Sequence, residues 1–315
     1  MLAEPEAPIP WRWDRYLADG TVTLLASFMK VGESTLAYPL AVAVAQDRPF
    51  LGYSTRQGGV LILAVEEHPR DVKRRLRRFG MRPEDPIHVH AGPLVYAPAT
   101  FRDLRQFIEA QKIALVILDT LPTFWDVQDE NDNAELIQQA TPLLTLARET
   151  NVVMLLLHHE GKSGGEGGRG IRGASALFGI VDQALLLDRR QGGTPTQRVL
   201  RATGRYDETP RELVIALAGD EYRRVGTAQE VKADARQLMV RDVLSDEPQD
   251  VKGLAHETKL TAKQVRDALT ALGRRVIREG GGKRGNPCTY RRVEFDSEPR
   301  HPYRGRNEFD APWGP

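Results

Sequence analysis

The chain has 315 residues, of which 41% are hydrophobic and 28% charged, and this composition is typical of a globular protein. The formal net charge of +1 shows no global bias, so any surface for nucleic acid must be a local basic patch. A single cysteine, Cys288, excludes an internal disulfide framework and suits a reducing compartment. No apolar run reaches the roughly 18 residues of a membrane span, so we expect a cytoplasmic protein without a membrane partner.

Short apolar runs along the chain predict the buried strands of a mainly parallel sheet. These runs do not alternate apolar with polar residues, which is typical of strands covered on both faces. Helical patterns lie between them, and such alternation predicts right-handed βαβ crossovers. The predicted strands are Val22–Ala26, Val60–Val65, Ala114–Leu118, Val152–Leu157 and Ala184–Leu187, and the predicted helices are Ser34–Gln46, Arg70–Phe79, Ala99–Gln111 and Asn133–Thr150.

The later part of the chain predicts a change of architecture. Arg198–Thr203 and Glu212–Ala218 are expected to be antiparallel strands that close an α/β core over 1–229, with a polar connector at 219–229. Residues 230–296 contain three helical patterns followed by a hairpin, which is the layout of a small C-terminal winged-helix domain. Thr261 and Gln264 form a capping box before the third helix. Residues 297–315 have the composition of a disordered tail.

The first predicted strand leads into a loop that partly matches a phosphate-binding P-loop. That motif reads G-x-x-x-x-G-K-[ST], in which backbone amides and the lysine hold phosphates and the hydroxyl binds Mg²⁺. Gly32, Ser34 and Thr35 fit its end, whereas Glu33 occupies the position of the lysine. Taken alone, this segment is better explained as an ordinary strand–turn–helix connection.

Three other predicted strands end in polar residues. Glu66–Glu67, Asp119–Thr120 and His158–His159 each follow an apolar run directly. Because ligands bind beyond the carboxyl ends of parallel strands, these residues are expected at the same edge of the sheet as the degenerate P-loop. Any one of them could be a solvated turn residue, but three on one edge together predict a binding site.

Taken together, these motifs resemble the RecA-like P-loop ATPases, and most closely the RepA-type hexameric replicative helicases of plasmids, phages and mobile elements. The resemblance spans about 11–218. It rests on linked segments, which are Met29-Lys-Val-Gly-Glu-Ser-Thr35, Glu66-Glu67, Leu118-Asp-Thr120, His158-His159 and Ile171-Arg-Gly-Ala-Ser-Ala-Leu177. The implied fold is a RecA-like, mainly parallel β-sheet flanked by helices, and the implied cofactors are ATP and Mg²⁺.

The resemblance also implies a role for each matching residue. Glu66 would orient the attacking water as general base, Asp119 would hold Mg²⁺ through water, and Ser34 or Thr35 would ligate the ion directly. His159, in preference to His158, would sense the γ-phosphate. The nucleotide-binding segment comprises Lys30, Val31, Gly32, Glu33, Ser34 and Thr35.

Arg205 corresponds to an arginine that reaches the phosphate of a neighbouring subunit. The residue two positions earlier is a lysine in the family and Thr203 in this chain, so the hairpin departs from the family pattern. A solvated hairpin arginine is the alternative interpretation.

Two segments are predicted to bind DNA. By resemblance, the glycine-rich loop at 161–170 faces single-stranded DNA in a central channel, with Lys162, Arg169 and Arg172 available to phosphates; the alternative is a connector without function. The second segment, 259–292, carries ten Lys or Arg residues against two acids. Its helix and hairpin tip predict contacts with duplex DNA or, alternatively, with a protein, and the candidate residues are Lys263, Arg266, Lys283 and Arg284.

Glu33 reverses a charge beside a polyanion. One unit-charge contact at about 4 Å is worth roughly 4 kcal/mol at an effective dielectric constant near 20, so the exchange should impair both nucleotide binding and hydrolysis. An engineered change, a natural loss and partial replacement by Lys30 are three explanations that stay open.

The resemblance implies a DNA-dependent, ring-forming helicase that acts in DNA replication as a hexamer, together with a replication or mobile-element partner. A nucleotide-dead DNA-binding or regulatory subunit is the first alternative. A filament-forming recombination-mediator ATPase is the second.

Overall fold

The computed structural model describes residues 8–28, 31–129, 132–160, 174–283 and 286–293. The chain divides into two compact units, 1–228 and 229–315. Lys30, Lys162, Arg169, Arg172 and Arg284 lie outside the described residues, as does the tail predicted for 297–315.

Strands and helices alternate through most of the first unit, as the apolar runs predict. The strands are β1 (Trp11–Trp13), β2 (Leu17–Ala18), β3 (Val22–Phe28), β4 (Gly59–Ala64), β5 (Ile87–Ala91), β6 (Ile113–Asp119), β7 (Val153–Glu160), β8 (Gln183–Arg189), β9 (Gln197–Gly204), β10 (Glu212–Ala218) and β11 (Glu221–Thr227). The helices are α1 (Glu33–Ala45), α2 (Pro69–Arg78), α3 (Pro98–Gln111), α4 (Leu121–Phe124), α5 (Asn133–Thr150) and α6 (Ala174–Ile180).

Nine of these strands form one sheet in the order β11-β10-β9-β8-β3-β7-β6-β4-β5. The strands from β8 to β5 pair in parallel, and β9, β10 and β11 extend the sheet with antiparallel pairs. This confirms the predicted α/β fold with a mainly parallel, RecA-like sheet. Parallel pairing aligns the carboxyl ends of β3, β4, β6 and β7, and it is at this edge that ligands bind in such sheets.

Apolar side chains cover both faces of the sheet, which explains why its strands lack alternation. Successive residues of β3 point to opposite sides: Leu25 packs in the cluster that includes α1 and α2, and Leu24 in the cluster that includes α3 and α5. The sheet is therefore the middle layer of three, and its central strands are buried between helices.

The predicted connector at 219–229 is wrong over Glu221–Thr227, which forms strand β11. Tyr222 and Gly226 are buried but the adjacent Arg223 and Arg224 are both exposed, so that this edge strand resembles a polar loop in composition. Strand β5, also at an edge, is likewise absent from the predicted elements, because its two histidines interrupt the apolar pattern.

The second unit contains the three predicted helices and the hairpin. The elements are α7 (Ala228–Val243), β12 (Gln249–Asp250), α8 (Val251–Thr258), α9 (Ala262–Leu272), β13 (Val276–Glu279) and β14 (Thr289–Arg292). The capping box before α9 is confirmed, since the Thr261 hydroxyl accepts from the Gln264 amide and the Gln264 side chain accepts from the Thr261 amide.

A separate hydrophobic core holds the second unit together. Leu254 of α8 is fully buried there, and all members come from the unit itself, namely Val240, Leu244, Leu254, Val265, Ala268, Leu269 and Leu272. Strands β12, β14 and β13 pair in that order beside the helices. Such a core is what an independently folding module requires.

Within the described ranges, no helix combines the length and the apolar character needed to cross a bilayer.

We predict that residues 229–293 fold alone and that Leu254→Ala lowers their free energy of unfolding by about 2–5 kcal/mol, because it removes buried methyl groups and leaves a cavity. Leu238→Ala on α7 is the matched control, since Leu238 is 36% exposed, and it should cost less than about 1 kcal/mol. Urea unfolding followed by circular dichroism measures both changes. Equal losses for the two variants would show that the hydrophobic packing around Leu254 does not stabilise the unit.

Candidate functional site

The loop after β3 approaches the sheet edge where the polar strand ends lie. Gly32 has a positive φ of 113°, a conformation that glycine adopts without strain, and it directly precedes α1. A Cβ at this position would lie 2.6 Å from the Tyr222 hydroxyl. Glycine is therefore required here by both backbone conformation and space, as it is in a P-loop.

Glu33, the first residue of α1, turns its carboxylate towards β7. One carboxylate oxygen lies 2.8 Å from Nδ1 of His159, and the other accepts from the Gly32 amide at 3.3 Å. The Glu33 side chain is almost fully buried, whereas about a third of the His159 side chain is exposed. The two residues that sequence analysis assigned to phosphate contacts thus bind each other.

The ionisation of this pair follows from its surroundings. Burial opposes the charged form of Glu33, yet hydrogen bonds from His159 and Ser27 hold its pKa below the ordinary value. The hydrogen bond with Glu33 raises the pKa of His159 above its ordinary value, although burial acts in the opposite direction. Both shifts favour an ion pair between a carboxylate and an imidazolium.

Ser34 and Asp119 come together beside this pair, as predicted for the metal ligands. The Ser34 hydroxyl donates to a carboxylate oxygen of Asp119 at 2.9 Å. Burial raises the pKa of Asp119, and the hydrogen bond from Ser34 partly opposes that change. Hydroxyl and carboxylate oxygens are suitable ligands for Mg²⁺, so these two residues fit the ion. Thr35 is half-buried one position further along α1.

Glu66 and Glu67 follow β4 and have different partners. The carboxylate of Glu66 accepts from Thr120 at 2.9 Å and also from Thr123. Glu67 binds Arg75 of α2, whose guanidinium nitrogen lies 2.6 Å from both carboxylate oxygens. Glu66 is exposed and directly follows Val65, whose amide donates to the Asp119 carbonyl. That position suits the predicted general base.

His158 is unsuited to phosphate contacts. It is buried, and burial together with the charge of His159 lowers its pKa to about 4. A neutral, enclosed imidazole supports packing, which is consistent with the preference for His159 over His158.

Arg205 lies at the end of β9, and 61% of its side chain is exposed. Its guanidinium is 3.3 Å from a carboxylate oxygen of Asp182, and its amide donates to the Asp182 carbonyl. Arg205 does not touch Glu33, Asp119 or Glu66, so it takes no part in the site formed by these residues.

The candidate DNA-binding residues of the second unit that the structure describes are exposed to solvent, as helical spacing predicts for α9. Lys263 and Arg266 of α9 are exposed, whereas Val265, Leu269 and Leu272 are buried. Lys283 is exposed and pairs with Asn286 in an isolated bridge at the hairpin tip.

Two residues that sequence analysis missed hold the loop between β3 and α1. The Tyr222 hydroxyl of β11 donates to the Val31 carbonyl at 2.7 Å, and Nε of Arg198 in β9 lies 3.5 Å from the same oxygen. Arg198 also donates to the carbonyls of Pro195 and Gln197. Because both partners are more than 160 residues from Val31, no local motif could have revealed them.

A model of the AAA domain family matches residues 2–165, just over half of the chain. The chain belongs to this family. The AAA domain match contains the loop, Glu66, Asp119 and His159, and ends before Arg205 and the second unit. Proteins with this domain are nucleotide-binding ATPases that generally use Mg²⁺. Among solved structures, the chain is similar to the KaiC-like protein PH0186 of the hyperthermophilic archaeon Pyrococcus horikoshii OT3, with 17% identity, a TM-score of 0.49, and coverage of 67% of this chain and 94% of that one.

The residues of the AAA domain at this site fit a magnesium ion and a water molecule, but not a phosphate. Ser34, Asp119 and Glu66 supply the oxygen groups that a magnesium ion and an attacking water need. Glu33 does not fit a phosphate, because a buried carboxylate at the start of α1 repels the anion that this helix end would otherwise attract.

We predict a bell-shaped pH dependence for the coupling between Glu33 and His159. Because the pKa of Glu33 is lowered, its contribution to stability is present above about pH 4.5 and is lost as the pH falls through the lowered value. Because the pKa of His159 is raised, its contribution to stability is present below about pH 6.5 and is lost as the pH rises through the raised value. Stabilisation should therefore be largest near pH 5.5 and at most about 1 kcal/mol, since solvent screens the exposed part of His159.

A double-mutant cycle of Glu33→Gln and His159→Gln, measured by urea unfolding near pH 5.5 and pH 9, isolates this coupling. The coupling should fall towards zero at the higher pH. A coupling energy that is the same at both pH values would contradict the ion pair.

Proposed function

We propose that this chain is a RecA-like ATPase of the ring-forming helicase type that acts on DNA, and that its hydrolysis is impaired at Glu33. The observation that carries the proposal is the contact between the Glu33 carboxylate and His159 at the start of α1. Ser34, Glu66 and Asp119, which we assign to the reaction centre, lie at the same edge of the sheet, and Arg205 lies apart from them.

The physical basis of the impairment is competition for one anion site. A helix N-terminus presents unpaired amide groups and a partial positive charge, which together attract phosphate. Here the chain's own carboxylate accepts from the Gly32 amide and binds the imidazole that would sense a phosphate. A nucleotide would have to displace this carboxylate or bind beside its negative charge, and either costs binding free energy.

The remaining machinery supports an ATPase origin. Asp119 and Ser34 are already in contact, and Glu66 is held by Thr120 and Thr123 on the same sheet edge. Phosphoryl transfer depends mainly on positioning and charge neutralisation, so replacement of the P-loop lysine weakens phosphate binding but leaves the arrangement of Ser34, Asp119 and Glu66 in place.

DNA is the proposed partner of both units. In the first unit we assign single-stranded DNA to the loop bearing Lys162, Arg169 and Arg172. In the second we assign duplex DNA to a winged helix formed by α7, α8, α9 and the β13–β14 hairpin. Exposed Lys263 and Arg266 on α9 support this assignment, because a helix with outward cations can enter a groove.

A hexamer is the proposed assembly. Arg205 lies outside its own chain's phosphate site and is largely exposed, which is the placement expected of a residue that serves a neighbouring subunit. We propose a replication or mobile-element protein as a further partner, on the basis of the sequence resemblance.

A nucleotide-dead DNA-binding subunit is the second candidate function, and the burial of Glu33 favours it. A buried charge destabilises a protein unless it is paired, and here three polar partners satisfy it. In that case the ATPase fold serves assembly alone.

We predict that Glu33→Lys raises ATP hydrolysis at least tenfold above the rate of the unchanged chain. The substitution replaces a repulsive contact with an attractive one and frees His159, while the other catalytic groups stay in place. Steady-state assays with Mg²⁺, with and without single-stranded DNA, measure the change.

The control variant is Glu33→Gln, which removes the carboxylate charge without supplying an ammonium group and should gain much less activity. Adding Asp119→Asn or Arg205→Ala to Glu33→Lys should abolish the gain, the second because the arginine acts across a subunit boundary. Background activity in Glu33→Lys would favour the nucleotide-dead subunit.

We predict that Lys263→Glu with Arg266→Glu weakens duplex binding at least tenfold at about 100 mM salt and leaves single-strand binding largely unchanged. Two lost phosphate contacts should also make the negative slope of log association constant against log salt shallower by about two. Lys232→Glu with Arg236→Glu on α7 is the control with the same change of charge. If the control pair weakens duplex binding equally, α9 is not the DNA-contacting helix.

A further inference from the structure

Helix α2 carries an unusual concentration of positive charge. Its ten residues contain six basic side chains and one acidic one, Asp71. Arg75 turns inward to Glu67, and the other five basic residues are exposed. These five, which we call the α2 basic face, line one surface depression together with Asp71; they are Arg70, Lys73, Arg74, Arg77 and Arg78.

Stability does not account for this face. Residues four apart on a helix are neighbours, so Arg70 with Arg74 and Lys73 with Arg77 are like-charge pairs that destabilise α2. The helix dipole favours Arg77 and Arg78 in the last turn but disfavours Arg70 in the first.

Internal ion pairs neutralise only part of the face. Arg74 binds Asp71 at 3.0 Å, and Arg78 binds Asp220 at the turn between β10 and β11. Arg70, Lys73 and Arg77 form no ion pair with any other residue that the structure describes. Three cations thus remain available to an external anion.

We propose that the α2 basic face binds the phosphodiester backbone of duplex DNA. From Arg70 to Arg78 the helix rises about 12 Å, a length over which a duplex presents roughly seven phosphates. Four of the five cations are arginines, whose planar guanidinium groups bind phosphate oxygens in pairs.

The chemistry of the face favours duplex DNA over other classes of partner. Its apolar residues Val72 and Leu76 are fully buried in the core, so α2 has no apolar side to insert into a membrane surface. Protein interfaces need a desolvated apolar or aromatic centre, and single strands need aromatic side chains for stacking. The exposed side chains of α2 provide neither.

The inference shares its partner class with the proposed function but concerns a different surface. Helix α2 begins three residues after Glu66, and Arg75 connects it to Glu67 and, over a distance of 4.9 Å, to the ring of Tyr38 in α1. DNA bound there would lie next to the candidate catalytic edge.

The test is fluorescence anisotropy of a labelled 20-base-pair duplex, on the order of the length needed to span the face several times, with the full chain carrying Arg70→Glu, Lys73→Glu and Arg77→Glu. We expect at least tenfold weaker binding near 100 mM salt. The negative slope of log association constant against log salt should become shallower by about two to three. The loss should persist when Lys263→Glu and Arg266→Glu are also present, because the surfaces are separate.

The matched control is Arg102→Glu, Lys112→Glu and Arg148→Glu, three exposed cations on α3, at its end and on α5, across the sheet from α2. It changes the net charge equally and should alter binding less than threefold. A second variant, with Arg70→Gln, Lys73→Gln and Arg77→Gln (the glutamine triple), repeats the test without introducing negative charge. Thermal unfolding should show that the glutamate and glutamine triples of α2 are both folded.

Equal losses in the α2 and control triples would overturn the inference in favour of a net-charge effect. Unchanged duplex binding in the folded glutamine triple would also overturn it. If that triple then lost binding to a labelled poly-glutamate peptide, an acidic protein would be identified as the partner. Absence of duplex binding by the unchanged chain would overturn both this inference and the proposed DNA function, whereas loss confined to the Lys263 and Arg266 variant would overturn this inference alone.

Discussion

Parallel pairing of β3 with β7 sets the distances on which the candidate site depends. In this register Ser27 lies opposite His159, so the imidazole reaches the start of α1 as soon as the chain leaves β3. Strand β7 also pairs with β6, which ends in Asp119. Backbone hydrogen bonds therefore place Ser27, His159 and Asp119 close together, and the side chain at position 33 determines how they interact.

A carboxylate at that position has a stable arrangement because its partners are already there. Ionised groups in protein interiors are costly unless hydrogen bonds and an opposite charge compensate for lost water. Glu33 obtains this compensation from the Gly32 amide, Ser27 and His159. The groups that would serve a bound phosphate serve the glutamate instead, which explains how a charge reversal is accommodated without disrupting the fold.

Sequence patterns predicted those parts of the molecule that depend on local periodicity. Buried parallel strands are uniformly apolar, so β3, β4, β6 and β7 could be recognised, and with them the polar residues Glu66, Asp119 and His159 at their ends. Edge strand β11 could not, because its exposed face is as charged as a loop. The contact of Glu33 with His159 and the support of Val31 by Tyr222 and Arg198 depend on tertiary packing between distant segments, and no single-segment pattern contains that information.

The support of the loop by β9 and β11 has a consequence for substitutions at position 33. Tyr222 and Arg198 hold the Val31 carbonyl through contacts that do not involve the side chain at position 33. Codons for glutamate and lysine differ only in their first base, so one transition in the gene exchanges the two residues within a loop that is held from outside. The contacts that hold the Val31 carbonyl are therefore open to either residue at position 33.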